Sequence, residues 1–376
     1  MSGDVERGGE GTELPLRRGW TTGACATAAT RAAYEALLTG RFPDPVAIAL
    51  PSGARISFAL ARAELLPEGA ARAGVVKDAG DDPDVTHGAL VQSTVRLAPA
   101  GSGVVFRAGE GVGTVTKPGL PIAPGQPAIN PVPREMMRQA IAEVAGQFGG
   151  RGDVIVEISI PGGLALAAKT MNGRLGIVGG LSILGTTGIV VPYSCAAWVH
   201  SIHRGIDVAV ATGLDHVAGA TGSTSEAAVQ RLHGLSDGAL IDMGDFVGGM
   251  LKYLRRHPVK RVTIAGGFAK MTKLGQGLLD LHSKAGQVDR EWLAGLLQEA
   301  GAPGHLVEAC RHANSALQVL QDAEQCGVPV GQLVARAARK TALDVLRGSE
   351  IEIDTAVFDR TGRLVGEDHD ERRKRR

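Results

Sequence analysis

The stretch Val259-Lys-Arg-Val-Thr-Ile-Ala265, followed by Gly266-Gly267, decides how the second half of the chain folds. It is a short apolar run that ends in a glycine turn and leads into a helical pattern. Two other apolar runs, Val208–Ala211 and Ala239–Ile241, are followed by glycine and a helical pattern in the same way. This repetition of strand, glycine turn and helix predicts a parallel sheet with crossover helices. In such sheets, ligands bind at the carboxyl ends of the strands, where these glycines fall.

The first half has a different pattern, with an alanine-rich helix and several strands. The helix is predicted from Thr21-Thr22-Gly23 to about Leu38, and Gly40 is its stop signal. A second helix is predicted over about Pro133–Phe148. Strands are predicted at Val46–Leu50, Arg55–Leu60, Ala73–Lys77, Ala89–Leu97, Val104–Arg107 and Val154–Ile160.

The predicted fold class is therefore α+β and α/β in one chain. An N-terminal helix-plus-mixed-sheet domain with a glycine-rich loop is expected over residues 14–190, joined to a Rossmann-like parallel-sheet domain over residues 191–366. The second domain is expected to have a helical C-terminal region from about Arg290 to Arg347, followed by a late edge strand at Ile351–Phe358. Residues 1–13 and 367–376 are predicted to be disordered tails.

The composition argues against several classes of protein. The 376 residues include 40 basic and 39 acidic side chains, a balance that does not suit a dedicated nucleic-acid binder. The four cysteines form no CxxC pair, so neither a disulfide framework nor a zinc ribbon is indicated, and a cytoplasmic location is expected. Glycines and Pro192 interrupt the uncharged stretch Leu175–His203, which argues against a transmembrane helix.

Gly109-Glu-Gly-Val-Gly113 follows a strand and resembles part of a dinucleotide-binding loop. That interpretation fails, because Pro118 and further prolines prevent a helix from starting directly after the loop. The segment is instead expected to be an extended glycine loop whose backbone N–H groups, with Lys117 nearby, can receive a carboxylate or a phosphate. A purely structural loop is the alternative, and the residues alone favour it.

Three further segments contain side chains that can bind a ligand or react. Asn130 and Arg134 lie where the chain leads into the second helix. Gly185-Thr-Thr-Gly188 is typical of a turn that faces a ligand, and equally typical of a tight structural turn. His282-Ser-Lys284 ends an amphipathic stretch after Lys270 and Lys273, and it offers groups for proton transfer and carboxylate binding. A solvated polar helix end is the alternative, and the residues alone favour it.

Two other patterns are interpreted as structural. Gly219–Glu226 lacks the lysine of a phosphate-binding loop, so Thr224 or Ser225 is predicted to be a plain helix N-cap. His200 and His203 have a spacing that can bind metal on a helix, but no third ligand with suitable spacing is evident.

Taken in order, these segments resemble the cobalt-precorrin-5B C(1)-methyltransferases, the CbiD family. The most specific combination is Gly109-Glu-Gly-Val-Gly-Thr-Val-Thr-Lys-Pro-Gly119 followed by Asn130-Pro-Val-Pro133. The resemblance runs from about residue 14 to residue 350 and includes Arg18–Ala26, Ala128–Arg134, Leu175–Ile189 and Gly266–Lys284. This chain departs from the family pattern at Gly267, where that pattern has a histidine, while Lys270 still matches.

The resemblance implies a reaction, a methyl donor and a substrate. S-adenosylmethionine would methylate carbon 1 of cobalt-precorrin-5B and give cobalt-precorrin-6A on the anaerobic route to cobalamin. The cobalt would arrive with the substrate, so no metal ligand is assigned to the protein. Because the substrate has many carboxylate arms, scattered cations and N–H groups are expected to bind it.

Site residues follow from the same resemblance. The catalytic residue is predicted to be His282. The residues expected to bind the cofactor are Gly109, Gly111, Gly113, Thr186, Thr187 and Gly188. The residues expected to bind the substrate are Thr21, Thr22, Lys117, Asn130, Arg134, Lys270 and Lys284. The residues do not decide which glycine segment receives which ligand. Gly111→Val is expected to harm activity more than folding, because the loop is expected on the solvent side.

Other functions and partners stay open at this point. A non-catalytic corrinoid-intermediate binding protein would use the same residues but would not bind S-adenosylmethionine. A nicotinamide-dependent reductase is disfavoured, because no complete GxGxxG motif precedes a helix. The cobalt tetrapyrrole is the expected partner, with neighbouring pathway enzymes and a second copy of the chain as further candidates. Neither nucleic acid nor a membrane is expected.

Overall fold

The computed structural model describes residues 15–369, which form two compact units. The first unit contains residues 15–116, 124–173 and 177–194, and the second contains residues 117–123, 174–176 and 195–369. The main change of unit along the chain falls between Ser194 and Cys195. The predicted tail over residues 1–13, and residues 370–376 of the other tail, lie outside the described part.

The elements of the first unit are short strands and three helices, counted over its described residues. They are β1 (Gly19–Trp20), α1 (Thr22–Thr39), β2 (Val46–Ala49), β3 (Arg55–Phe58), β4 (Arg62–Leu66), β5 (Ala70–Val76), β6 (Leu90–Leu97), β7 (Val104–Ala108), β8 (Thr114–Val115), α2 (Pro131–Phe148), β9 (Val154–Ser159), α3 (Gly163–Ala167), β10 (Ile177–Val178) and β11 (Ile189–Val190).

The second unit alternates strands with helices before a run of helices near its end. Its elements are α4 (Cys195–Ala211), β12 (His216–Ala220), α5 (Ser223–His233), β13 (Leu240–Asp242), α6 (Val247–Leu254), β14 (Arg261–Gly267), α7 (Phe268–Gly275), α8 (Arg290–Glu299), α9 (Gly304–His312), α10 (Ala316–Gln325), α11 (Val330–Val345), β15 (Glu352–Phe358) and β16 (Leu364–Asp368). No helix in the described part of the chain has both the length and the apolar composition that a bilayer crossing requires.

A five-stranded mixed sheet organises the first unit, in the order β4-β5-β6-β9-β7. Only the β7–β9 pair in it is parallel. The buried alanines of α1 allow close packing against both α2 and this sheet. Thr21 caps α1 by accepting from the N–H of Ala24 at 3.2 Å, and Gly40 ends the helix in a left-handed conformation with φ 74°. Both ends of this helix were predicted from the sequence.

The second unit contains a sheet in the order β13-β12-β14-β15-β16. The first four strands are parallel and β16 is antiparallel to β15. A small apolar cluster that includes Ala220 and Val229 lies under α5, on one face. A larger core that includes Ile206, Met250 and Val334 covers the other face. The glycine turns after β13 and β14 lead into α6 and α7, so the mixed α/β class is confirmed.

One predicted strand of the second unit is wrong. Val208–Ala211 forms the last turn of α4, and the strand that follows is β12. Ile202, Ile206 and Ala209 are buried at helical spacing along α4. Burial of this face outweighs the β-propensity of the two valines in the last turn.

The end of the chain also differs from the prediction. β15 is not an edge strand, because β16 pairs with it. Glu367 and Asp368 were predicted to be disordered, but they belong to β16. Likewise, the N-cap of α5 is Gly222 rather than Thr224 or Ser225, which lie inside the first turn of the helix.

Candidate functional site

A crevice of about 440 Å³ opens at the carboxyl edge of the second unit's sheet. It is lined by residues 221–225 after β12, residues 267–270 at the end of β14, residues 358–360 at the end of β15 and residues 315–317 at the start of α10. From β12 the chain continues to β13 on one side of it and then crosses to β14 on its other side. Open α/β sheets bind ligands at such a topological switch point. The volume lies within the range of small-molecule sites.

Backbone donors of two helices belong to this lining. The first N–H groups of a helix have no partner inside the helix. Gly222 before α5 and Gly267 before α7 have no side chain to cap them. By contrast, Ser315 caps α10 by accepting from the N–H of Gln318 at 3.2 Å. The crevice therefore offers the uncapped, positive ends of α5 and α7 to an anionic group.

The two glycines also leave room in the crevice. A Cβ atom at Gly222 or Gly267 would meet no atom within 4 Å. Their backbone conformations, with φ of 167° and −68°, are open to other residues. Glycine is therefore not required at either position for folding, and its absent side chain allows a ligand to approach the backbone closely.

Lys270 places a positive charge at the crevice. Its Nζ donates to the carboxylate of Asp245 and to the carbonyl oxygen of Leu281 at 3.4 Å. Lys273 Nζ donates to the same carbonyl at 3.1 Å, and burial, together with the charge of Lys270, lowers the pKa of Lys273. The Lys270 side chain is 36% exposed, so it can reach a ligand, whereas Lys273 is buried beneath it.

His282 lies in an exposed turn next to Leu281, the residue whose carbonyl the two lysines share. Its Nδ1 accepts from the backbone N–H of Lys284 at 3.1 Å. A neutral His282 ring in this turn therefore has its proton on Nε2, and Nε2–H is a hydrogen-bond donor. The turn brings His282 and Lys284 together and connects them to Lys270 through Leu281.

Lys117 lies elsewhere in the second unit. Its Nζ donates to the carbonyl oxygen of Arg174 at 3.4 Å, and its stem packs against Gly176. Nζ also approaches Gly238, in the turn at the amino end of β13. Lys270 follows the carboxyl end of β14, so the two lysines are not neighbours on one edge of the sheet.

The predicted site residues of the first unit converge on the segment 181–188. Leu181 donates its N–H to Gly111 and accepts from the N–H of Gly113, both at 2.8 Å. The N–H of Asn130 donates to Ile183 at 2.9 Å.

The same segment also holds the start of α1. Thr22 Oγ1 accepts from the N–H of Leu184 at 3.0 Å, and the N–H of Thr21 donates to Gly188 at 3.0 Å. Segments that are far apart in sequence therefore meet through backbone hydrogen bonds.

Gly111 is buried, contrary to the expected solvent-side loop. Its φ is +72°, and an added Cβ would lie 2.0 Å from the carbonyl oxygen of Ile160 and 2.9 Å from the N of Gly163. Gly113 is similarly close to Ile177. Packing therefore accounts for Gly111 and Gly113, and the expected solvent-side position of this loop is wrong. Gly111→Val is expected to harm folding, because its side chain has no room at this position. A role of Gly109, Gly111 and Gly113 in binding the cofactor stays a prediction.

The remaining first-unit residues differ in how far a ligand can reach them. Thr186 and Thr187 are exposed, and the Thr187 hydroxyl bonds within its own turn to Ile189 at 3.2 Å. Arg134 is committed to the backbone, since its Nε donates to the carbonyl oxygen of Ile129 at 2.8 Å. Burial and the nearby charge of Arg138 lower the pKa of Arg134.

Among the predicted site residues, only Lys270 lines the crevice. The segment 221–225 was interpreted as a plain N-cap, so its place in the lining was missed. A strand followed by a glycine turn and a helix was the available signal, but the strand had been placed at Val208–Ala211 instead of at β12. Within residues 15–369, no group of three or more His, Cys, Asp or Glu side chains is arranged to hold a metal ion.

A parallel sheet with glycine turns and a crevice at its carboxyl edge defines a ligand-binding α/β protein. Two family models match this chain, CbiD over residues 10–192 and the CbiD C-terminal domain over residues 280–369. This chain belongs to the CbiD family, as its sequence motifs indicated.

Relatives match it over almost their whole length. A protein named cobalt-precorrin-5B C(1)-methyltransferase from Bradyrhizobium sp. (strain BTAi1 / ATCC BAA-1182) is 70% identical, over 94% of this chain and 93% of its own. The protein of the same name from Paramagnetospirillum magneticum is 61% identical, over 95% of this chain and 99% of its own. A crystal structure of a cobalamin biosynthesis protein (cbiD) from Archaeoglobus fulgidus, 24% identical, covers 83% of this chain and 85% of that one with a TM-score of 0.37.

Proposed function

We propose that this protein is a cytoplasmic C-methyltransferase that transfers a methyl group from S-adenosylmethionine to carbon 1 of cobalt-precorrin-5B. The product is cobalt-precorrin-6A, on the anaerobic route to cobalamin. The names of relatives at 61% and 70% identity over more than nine-tenths of the chain support the reaction and the substrate. Cobalt belongs to the substrate in this reaction, so the protein itself needs no metal ligands.

The methyl donor is proposed to bind in the crevice of the second unit. S-adenosylmethionine has an anionic carboxylate, and the uncapped N-termini of α5 and α7 are suited to it. The open space at Gly222 and Gly267 gives the adenosyl group close access to the backbone. The second unit would then act as a Rossmann-like domain, with ligand binding at its switch point. Domain bounds of 14–190 and 191–366 remain part of this proposal.

The tetrapyrrole is proposed to bind beside the donor. Its carboxylate arms need charge-assisted hydrogen bonds, which Lys270 and Lys284 can donate. His282 can donate from Nε2 to a peripheral group of the macrocycle. Methyl transfer from a sulfonium is an in-line displacement, so the main contribution of these residues is to position carbon 1 against the methyl group.

The decisive experiment is mass spectrometry of cobalt-precorrin-5B after incubation with the protein and S-adenosylmethionine. We expect a product heavier by one methyl group, together with S-adenosylhomocysteine. An unchanged substrate mass, with a reference enzyme active under the same conditions, would contradict the proposal. Tight tetrapyrrole binding without affinity for S-adenosylmethionine would instead support a corrinoid-binding protein.

Separate alanine variants of Lys117, Lys270, Lys284 and His282 test the substrate site. Lys270→Ala and Lys284→Ala are each expected to weaken tetrapyrrole binding by about 1–3 kcal/mol, because a charge-assisted hydrogen bond is lost. Lys117→Ala tests the sequence prediction that this lysine, which does not share an edge of the sheet with Lys270, also binds a carboxylate arm. His282→Ala is expected to reduce turnover more than binding. Steady-state kinetics separates these effects. Wild-type values for all four variants would place the substrate elsewhere on the protein.

Lys270→Ala needs a control, because it also leaves Asp245 without its cation. The matched control is Asp245→Asn, which removes the same ion pair but leaves the lysine in place. If both variants lose substrate affinity equally, the ion pair between Lys270 and Asp245 acts indirectly, by holding the lining of the crevice in place. If only Lys270→Ala loses it, the lysine binds the substrate directly.

A further inference from the structure

Asp242 ends β13, next to the strand that leads into the crevice. It pairs with Ala220 of β12 in the parallel ladder, and Thr221, the following residue, lines the crevice. Leu240 and Ala220 both belong to the apolar cluster under α5. Since side chains alternate along a strand, Asp242 points to the same face as Leu240. Its carboxylate therefore lies on the side of α5, whose first turn lines the crevice.

The carboxylate of Asp242 accepts no hydrogen bond from any residue within the described range 15–369. The nearby cation, Arg174, is committed to Glu226 through two hydrogen bonds of 2.8 and 2.6 Å. Burial, and then the charge of Glu226, raise the pKa of Asp242, while Arg174 opposes the shift. The half-buried carboxylate has no donor from these residues, so its oxygens are free to accept hydrogen bonds from a ligand.

We propose that Asp242 binds the ribose hydroxyls of S-adenosylmethionine in the crevice. This inference rests on the proposed function. An ionised carboxylate only accepts hydrogen bonds, and the two ribose hydroxyls are donors. Asp242 lies 20 residues after Gly222, the glycine in the turn before α5. In dinucleotide-binding α/β folds the acidic residue that binds ribose follows the glycine turn by about the same distance.

The backbone around Asp242 is held in place independently of its carboxylate. The indole Nε1 of Trp198 donates to the carbonyl oxygen of Asp242 at 3.1 Å. The N–H groups of Met243 and Gly244 both donate to Ala220 at 3.1 Å, which closes the turn after β13 over the end of β12. Asp242→Asn therefore leaves these contacts intact and changes only the charge and one acceptor.

The test compares S-adenosylhomocysteine with its 2′-deoxy and 3′-deoxy analogues by titration calorimetry on the full chain. The wild-type protein is expected to bind at least one deoxy analogue roughly 10- to 100-fold more weakly, as for loss of a hydrogen bond to a charged group. Asp242→Asn is expected to bind S-adenosylhomocysteine roughly 10- to 100-fold more weakly and to distinguish it from the deoxy analogues by no more than about twofold.

The matched control is Asp237→Asn, whose carboxylate lies in the turn at the amino end of β13 and bonds to Gln230 at 2.7 Å. The charge of Asp237, like that of Asp242, acts on Arg174. Asp237→Asn therefore removes one negative charge from the same region but changes no residue of the crevice lining. This variant should keep wild-type affinity and full discrimination between the ligands.

Three results separate the possible outcomes. If the wild-type protein binds S-adenosylhomocysteine and both deoxy analogues equally well, the inference is overturned. This result needs no variant, so it decides the question even if Asp242→Asn folds poorly. Full discrimination retained by Asp242→Asn overturns it as well. If the wild-type protein binds none of the ligands and no S-adenosylmethionine, the proposed donor site itself is wrong.

Discussion

Gly222→Leu is expected to weaken the binding of S-adenosylmethionine at least about 100-fold, equivalent to about 2.7 kcal/mol. Gly222 lines the crevice at the N-terminus of α5, and an added Cβ meets no atom within 4 Å. Its φ of 167° is extended backbone that leucine adopts without strain. The new side chain would occupy the space of the ligand and shield the uncapped N–H groups of α5. Isothermal titration measures the affinity, and calorimetric unfolding should show a Tm within about 2 °C of wild type.

Two further variants make the result specific. Gly222→Ala adds one carbon to the same space and should give an intermediate loss of affinity. Gly304→Leu places the same side chain at an exposed helix start in the same unit, again with no atom within 4 Å of its Cβ, and should bind normally. Wild-type affinity in a folded Gly222→Leu protein would exclude the crevice as the donor site.

The sequence predicted those parts of the fold that depend on local signals. The cap at Thr21, the stop at Gly40 and the proline-led start of α2 are each specified within a few residues. Strand, glycine turn and helix around Gly267 are specified in the same way. These features were correct because capping, left-handed turns and proline geometry depend little on the rest of the chain.

The sequence failed where long-range packing decides the structure. β12, with the sequence His-Val-Ala-Gly-Ala, has weak β-propensity and becomes a strand because β13 and β14 pair with it on both sides. Once β12 was missed, the loop 221–225 did not follow any predicted strand, and its place in the lining of the crevice was not recognised. Asp242, which we propose as a ribose-binding residue, was missed for the same reason. Its place beside the crevice becomes visible only when β12 and α5 are known.

In the first unit, one local sequence pattern fits two different roles. The glycine loop 109–113 was predicted to bind the cofactor. Glycines allow a close approach of the backbone, and such an approach suits internal packing as well as ligand binding. The sequence cannot distinguish the two, since the partners of Gly111 and Gly113 are Ile160, Gly163 and residues near Leu181, far along the chain. Exposure of Thr186 and Thr187 leaves a ligand-binding role for that turn as a prediction.

Gly111→Ala is expected to destabilise the first unit by about 4 kcal/mol or more, which lowers the Tm of that unit by about 10 °C. Two costs add. An alanine with φ near +72° loses about 1–2 kcal/mol from backbone strain. Its Cβ would also lie 2.0 Å from the carbonyl oxygen of Ile160, so the chain around residues 160–163 must move. That movement would disturb the hydrogen bond from Leu181 to Gly111 and, with it, the segment 181–188.

Gly162→Ala separates the two costs. Gly162 has φ +76°, almost the value at Gly111, but no atom lies within 4 Å of an added Cβ. This variant should lose only the strain, about 1–2 kcal/mol. Thermal and urea unfolding of both variants gives the difference, which isolates the steric overlap. Equal stability of the two variants would show that the neighbouring chain moves away from the added Cβ without cost. Ligand binding would then explain the glycine at position 111 better than packing does.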